Sequence, residues 1–421
     1  MSSIAYAALW VFISTLPWEA VVSVGGFATI SRATGALALG IALLAVATTG
    51  RFRRLHRFHI AALLFMLWAG LELLILFNRP ELPNKCWKYV QLCFVLWMVW
   101  ELAPSWRRQV GLLTAYLLGA YVAVFNTLLL YRREAGALRR FTAENTDPND
   151  LAMTLALALP MAWYLGMTHR RPLIRWLCRA YVPLGILAIA LTGSRGGLIT
   201  TIVALMIVPL TMDRLTAGRL LTAVVLLAGA GGLAVAYVPD KIVERFSTTR
   251  SEVEEGDLGN RARLWVAGYH AFERRPVTGY GTSSFVSAVR HELGLRSNVA
   301  HNTYLSVLVE QGIVGLTLYL MMFVAVYRSV LRLPKLERRF ALTLLVTLMV
   351  AILPLTWEDR KPVWFILAAL LGLSQAWVPA RGRMARQLGP ARMRPTFHPR
   401  GDGRLEPAHH PTPAATPSHD S

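Results

Sequence analysis

"VGLLTAYLLGAYVAVFNTLLLY", Val110 to Tyr131, holds no charged side chain in 22 residues. As a helix rising about 1.5 Å per residue, it covers the ~30 Å hydrocarbon core of a bilayer. Comparable apolar runs fall at 5–19, 34–50, 60–77, 87–103, 150–168, 176–193, 197–212, 220–238, 302–327, 340–357 and 363–379. The 421 residues are 55% hydrophobic and only 16% charged, whereas soluble domains carry about 25% charged residues. These features predict an all-α polytopic membrane protein with about twelve transmembrane helices. Continuous apolar runs exclude a transmembrane β-barrel, whose strands alternate in hydropathy.

The formal charge of +20 is spread unevenly. "RFRRLHR" (51–57), "HRRPLIR" (169–175), "RSVLRLPKLERR" (328–339) and the tail beyond Arg381 share one side of a twelve-span count. The positive-inside rule makes that side cytoplasmic, with both termini inside. The first run has no Lys or Arg before it and is expected to stay as a first span. Four parts follow: N-terminal membrane helices (1–238), a long periplasmic segment (239–300), C-terminal membrane helices (301–379) and a disordered cytoplasmic tail (380–421). Within the long segment, Leu264, Trp265, Gly268, Tyr269 and Phe272 recur at helical spacing, as in a helix lying on a membrane surface. Cys86, Cys93 and Cys178 give no disulfide framework and read as small hydrophobes.

Arginine on the outer face exceeds what topology predicts. Guanidinium stays charged and grips phosphate through two parallel hydrogen bonds, so this surplus implies an anionic partner. Arg132, Arg133, Arg139 and Arg140 are assigned to lipid headgroups. Arg195 is different, because "ALTGSRGGL" places it in a tight turn between two spans, where a charge marks a functional site. Arg261 and Arg263 open a helix, a natural diphosphate cradle. Arg79 and Lys85 lie on an earlier outer connector and are assigned to substrate binding. His301 precedes a membrane helix, whose positive N-terminal end disfavours imidazolium and leaves a base at neutral pH. Glu310, on the same helix, needs a partner or water. "DPNDLA" (147–152) reads as a helix cap. No Walker loop, metal-ligand cluster or acidic pair on the first outer loop supports a nucleotide-driven pump or metal-dependent transferase. No metal, cofactor or nucleic-acid partner is expected.

His301-Asn302, nine residues, then Gly312-x-x-Gly315-Leu316 resembles the signature of bacterial O-antigen ligases. "SRGGL" (194–198), "DPN" (147–149) and Arg261, Trp265, Pro276, Gly279 and Gly281 in order are similar to patterns of the same superfamily. The resemblance implies a GT-C-type glycosyltransferase in the bacterial inner membrane with a periplasmic site. It implies transfer of O-antigen from undecaprenyl diphosphate to a sugar hydroxyl of lipid A–core, by inverting displacement without metal. Under it, His301 is the base, Arg195 and Arg261 hold the diphosphate, and Arg263, Asn302 and Asn149 contact substrate. An O-antigen polymerase or a protein O-oligosaccharyltransferase of the superfamily is the nearest alternative. An organic-anion or lipid transporter is the alternative from another class, but carriers place ionisable or broken positions near the midplane in both halves. Here such residues cluster at one interface.

Overall fold

A computed structural model of the chain describes residues 2–24, 28–50, 52–75, 82–134, 140–211, 217–247, 261–294 and 298–387. Each apolar run coincides with a helix or, for 197–212, with two. These are α1 (Ser2–Thr15), α2 (Ile30–Thr49), α3 (Arg57–Ile75), α4 (Leu82–Leu102), α5 (Trp106–Arg133), α6 (Pro148–Thr168), α7 (Pro172–Leu191), α8 (Arg195–Leu205), α9 (Ile207–Thr211) and α10 (Ala217–Tyr237). Then come α11 (Asp240–Ser247), α12 (Arg261–Arg274), α13 (Phe285–Leu293), α14 (Thr303–Val330), α15 (Lys335–Ala351) and α16 (Lys361–Gln387). Among the described residues the only strands are a two-residue antiparallel pair, Ser23–Val24 against Ala28–Thr29. The chain is an all-α membrane protein. Six described helices, α2, α5, α6, α7, α14 and the stretch Leu220–Tyr237 of α10, are long and apolar enough to cross a bilayer. The last helix continues past Pro379 to Gln387, and the rest of the expected tail lies outside the described residues.

Helices apolar on every side belong in the interior of the bundle. From Leu151 to Gly166, every residue of α6 is buried, and Val363–Leu371 of α16 form another continuous buried stretch. By contrast, α10 shows lipid-sized side chains outward, with Leu221, Val225 and Val235 exposed.

One end of the bundle is stitched by hydrogen bonds and ion pairs between distant segments. Lys361 donates to Glu19 after α1 and to Ser31 at the start of α2. Arg360 pairs with Asp150 at the start of α6, 3.2 Å, and Lys88 of α4 with Asp359, 2.9 Å. Asp147 caps α6 by accepting from the N–H groups of Asn149 and Asp150, as the DPN sequence predicts. Basic residues of the opposite end are held locally: Arg53 stacks over Trp100 and Arg108 over Tyr6.

The segment 261–294 packs on α14. Leu264, Ala267, Gly268 and Ala271 are buried, and Ala267 and Ala271 form a small core with Phe285, Val289, Ala300 and Val309. The face of α12 expected to lie on a membrane is therefore divided: Leu264 and Gly268 turn to protein, while Tyr269 remains exposed.

α14 is broken at Gly312, whose φ of 66° and ψ of −169° leave the helical region. A helix break frees backbone groups that must find other partners, and the loop 276–281 supplies them. Tyr280 N–H donates to Val309 O (3.0 Å), Gly281 N–H to Glu310 O (2.7 Å), and Ile313 N–H to Pro276 O (2.8 Å). Only glycine fits either side of this clasp. A Cβ on Gly312 would overlap the Val277 carbonyl, and one on Gly279 would come within 2.6 Å of Gly312 N. The glycine spacing of both motifs is thus the imprint of one backbone crossing.

Candidate active site

The crossing sets the start of α14. Trp265 Nε1 donates to Ala300 O (3.0 Å), fixing the residue before His301. His301 adopts φ 46° and donates its N–H to Thr356 Oγ1 (3.2 Å). Asn302 is the N-cap, its side-chain oxygen accepting from Tyr304 and Leu305 N–H at 3.1 Å each. His301 is therefore held just outside the helix, half-buried. Burial lowers its pKa below the usual 6.5, the positive charge of Arg261 lowers it further, and Asp147 partly opposes both. The neutral imidazole is favoured at pH 7, so the side chain can accept a proton.

Arg261, at the N-terminus of α12, is half-buried and feels Asp147 and Arg245 as well as His301. Arg263 is exposed one half-turn away, so the fold separates two arginines the sequence leaves equivalent.

The turn between α7 and α8 forms the next wall. Gly193 adopts φ 60°, and a Cβ there would touch Arg140 and Arg245 at 3.6 Å each. Arg245 Nε donates to Gly193 O (3.1 Å). Arg195 turns its fork onto the carbonyl of Arg245, with Nε at 3.1 Å and Nη2 at 2.9 Å. That carbonyl lies in the last turn of α11, the negative end of the helix. Ser194 caps α8 and donates to Asn149 Oδ1 (3.0 Å).

Arg140 differs from its expected role as a headgroup contact. Its Nε donates to Thr192 O (2.7 Å) and its Nη2 to Asn149 Oδ1 (2.9 Å). Burial, then the charge of Arg245, lowers its pKa, with Asp147 opposing. Arg132 and Arg133 are exposed, and Arg139 lies outside the described residues.

Lys85 goes elsewhere. It is buried, pairing with Glu310 at 3.2 Å and Glu358 at 2.5 Å. Glu310 also accepts from the N–H groups of Ser283 (2.8 Å) and Phe285 (3.3 Å), tying the loop before α13 to α14. Arg79 lies outside the described residues.

The structure thus gathers His301, Arg261, Arg195, Asn149, Arg140 and Arg245. Sequence reasoning misses Arg245 altogether; its only local signal is the amphipathic pattern of "DKIVERFS". Four guanidinium groups gathered near the carboxylate of Asp147 suit a multiply charged anion, and the adjacent neutral imidazole can deprotonate a hydroxyl. Among the described residues no group of three or more His, Cys, Asp or Glu could hold a metal ion.

Comparison with curated proteins found no match. Residues 180–320 match the family model described as O-antigen ligase. That span contains Arg195, Arg245, Arg261 and His301, and over it the chain is similar to the O-antigen ligase family.

Proposed function

We propose that the protein transfers an O-antigen glycan from undecaprenyl diphosphate to a sugar hydroxyl of lipid A–core. The chain crosses the bacterial inner membrane twelve times with both termini in the cytoplasm, and the arginine cluster faces the periplasm. His301 takes the proton of the acceptor hydroxyl as its oxygen bonds to the anomeric carbon from the face opposite the leaving group. The bond from that carbon to the diphosphate oxygen breaks, and undecaprenyl diphosphate departs with the electron pair. Its charge is met by Arg261 and Arg195, with Arg140 and Arg245 beside them, so neither a general acid nor a metal is required. The anomeric centre inverts. Asn149 orients Arg140 and contacts substrate through its remaining amide group. Asn302 fixes His301, and Arg263 offers a second, solvent-side contact for the glycan.

The observation that carries this reading is the pairing of a half-buried Arg261 with a half-buried, neutral-favouring His301. It supplies anion recognition and a base at one point. The test is a purified reaction of lipid A–core with undecaprenyl-diphosphate glycan and no added metal, read on a gel. Core-attached glycan is the expected product. A lipid-linked polymer without core attachment would make the protein a polymerase. External labelling of cysteines placed at Ser251 and Ser418 tests orientation; labelling confined to Ser418 would reverse it.

A further inference from the structure

The same end of the bundle holds a second cationic region, joined to the first by the loop 352–360. Thr356 of this loop holds His301, and Arg360 holds Asp150. Beyond them a polar cavity of about 190 Å³ is lined by Glu19, Arg32, Lys88, Asp359, Arg360 and Lys361. A second cavity of about 300 Å³ shares Arg32, Gln91, Val95 and Lys361 with it. The remaining walls of the second cavity are mainly apolar, among them Phe12, Gly35, Ala36, Leu39, Phe94 and Met98 of α1, α2 and α4. Together they make one crevice, charged at the mouth and apolar below.

The charges at the mouth do not balance. Lys361 is matched by Glu19, Lys88 by Asp359 and Arg360 by Asp150. Arg32 is exposed and makes no ion pair with a described residue. The side chains of Lys88 and Arg360 are 47% and 48% exposed, free enough to turn from a carboxylate to a ligand. Glycine at position 35 keeps the slot open beside Phe12, since a Cβ there would sit 2.9 Å from that ring.

We propose that this crevice binds an anionic lipid, its phosphate against Arg32 and Lys88 and one acyl chain in the slot between α2 and α4. Leaving a bilayer for an apolar slot gains a chain little, because lipid tails are as apolar as the slot. Selectivity must therefore come from the headgroup charge, and a single Lys or Arg near an anionic lipid contributes about fivefold. Two sources share this chemistry. One is the phosphorylated, acylated acceptor, an assignment that rests on the transfer reaction proposed above; the other is a phospholipid of the bilayer.

The test uses the full-length protein in neutral detergent, with retained lipids counted by native mass spectrometry. Phosphatidylglycerol, phosphatidylcholine and lipid A–core are offered separately. Arg32→Gln is expected to weaken retention of anionic lipid about fivefold, and Arg32→Lys to restore most of it. Ala36→Trp, which plugs the slot, is expected to lower retention of the anionic lipid below that of wild type. Equal retention by wild type, Arg32→Gln and Ala36→Trp would overturn the proposal, as would phosphatidylcholine held as firmly as phosphatidylglycerol. Stronger retention of lipid A–core than phosphatidylglycerol identifies the acceptor as the source; equal retention identifies the bilayer. Retention is read without turnover, so failure of the transfer reaction would leave this result standing.

Discussion

Replacing Gly312 by alanine should undo the active site from a distance. The new Cβ would overlap the Val277 carbonyl, and the backbone cannot relax without leaving φ 66° and ψ −169°. Holding a non-glycine residue in such a region costs about 1–3 kcal/mol. Displacing the loop 276–281 also breaks the three backbone bonds that Tyr280, Gly281 and Ile313 donate across the crossing, at about 1 kcal/mol each. The total of about 4–6 kcal/mol is comparable to the whole stability of many domains. A suitable control is Gly229→Ala in α10, where a Cβ meets nothing within 4 Å. That change should be neutral or slightly stabilising, since alanine favours helix. Both variants would be purified in one detergent and compared by thermal unfolding and by glycan transfer. Gly312→Ala should unfold at much lower temperature and lose transfer, while Gly229→Ala matches wild type. If the two glycine variants behave alike, the backbone crossing does not hold this site together.

His301→Asn should retain the fold, because asparagine tolerates positive φ, yet lose about 10²–10⁴ in kcat with the base. The acid limb of kcat/KM for wild type should lie below pH 6.5, activity falling as the imidazole gains its proton. Arg261→Gln removes a charge that lowers this pKa, so the limb should move up; an unchanged limb in a still-active variant would separate the two groups. Arg195→Lys should weaken donor binding more than tenfold, because one ammonium cannot reproduce two bonds to the Arg245 carbonyl. Arg140→Gln should lose at least as much while Arg132→Ala stays silent, and the reverse order in a transfer assay would move the anion site. Lys85→Met leaves two buried carboxylates without their cation and should cost about 3–5 kcal/mol, read as a large drop in unfolding temperature; a wild-type midpoint would show the pair is dispensable.

Much of this architecture is legible in the sequence. Apolar runs locate the helices because burial in a bilayer demands length and apolarity and little else. The Asp147 cap and the position of His301 outside its helix follow from local rules. What local rules could not supply were partners distant in sequence. Lys85 reads as a ligand on an outer connector because its carboxylates lie 225 and 273 residues away. Arg140 sits in a run of arginines that looks like a headgroup belt, and only the fold brings Thr192 and Asn149 to it. Arg245 sits in the short helix α11 and reaches the site through the Gly193 carbonyl. Gly312 looks like a helix interior until the loop that occupies the break is known.

The clasp between the loop 276–281 and α14 is made from main-chain donors and acceptors. Of its side chains, Val277 is more than half exposed, whereas the Tyr280 ring packs against the small core of the 261–294 segment and carries Arg275 stacked on it. Residue identity at Val277 can therefore be exchanged without disturbing the architecture, provided the glycines stay. A loop of this kind is a natural cassette. Exchanging Val277 for the residues of relatives is a route to a changed surface on an unaltered framework.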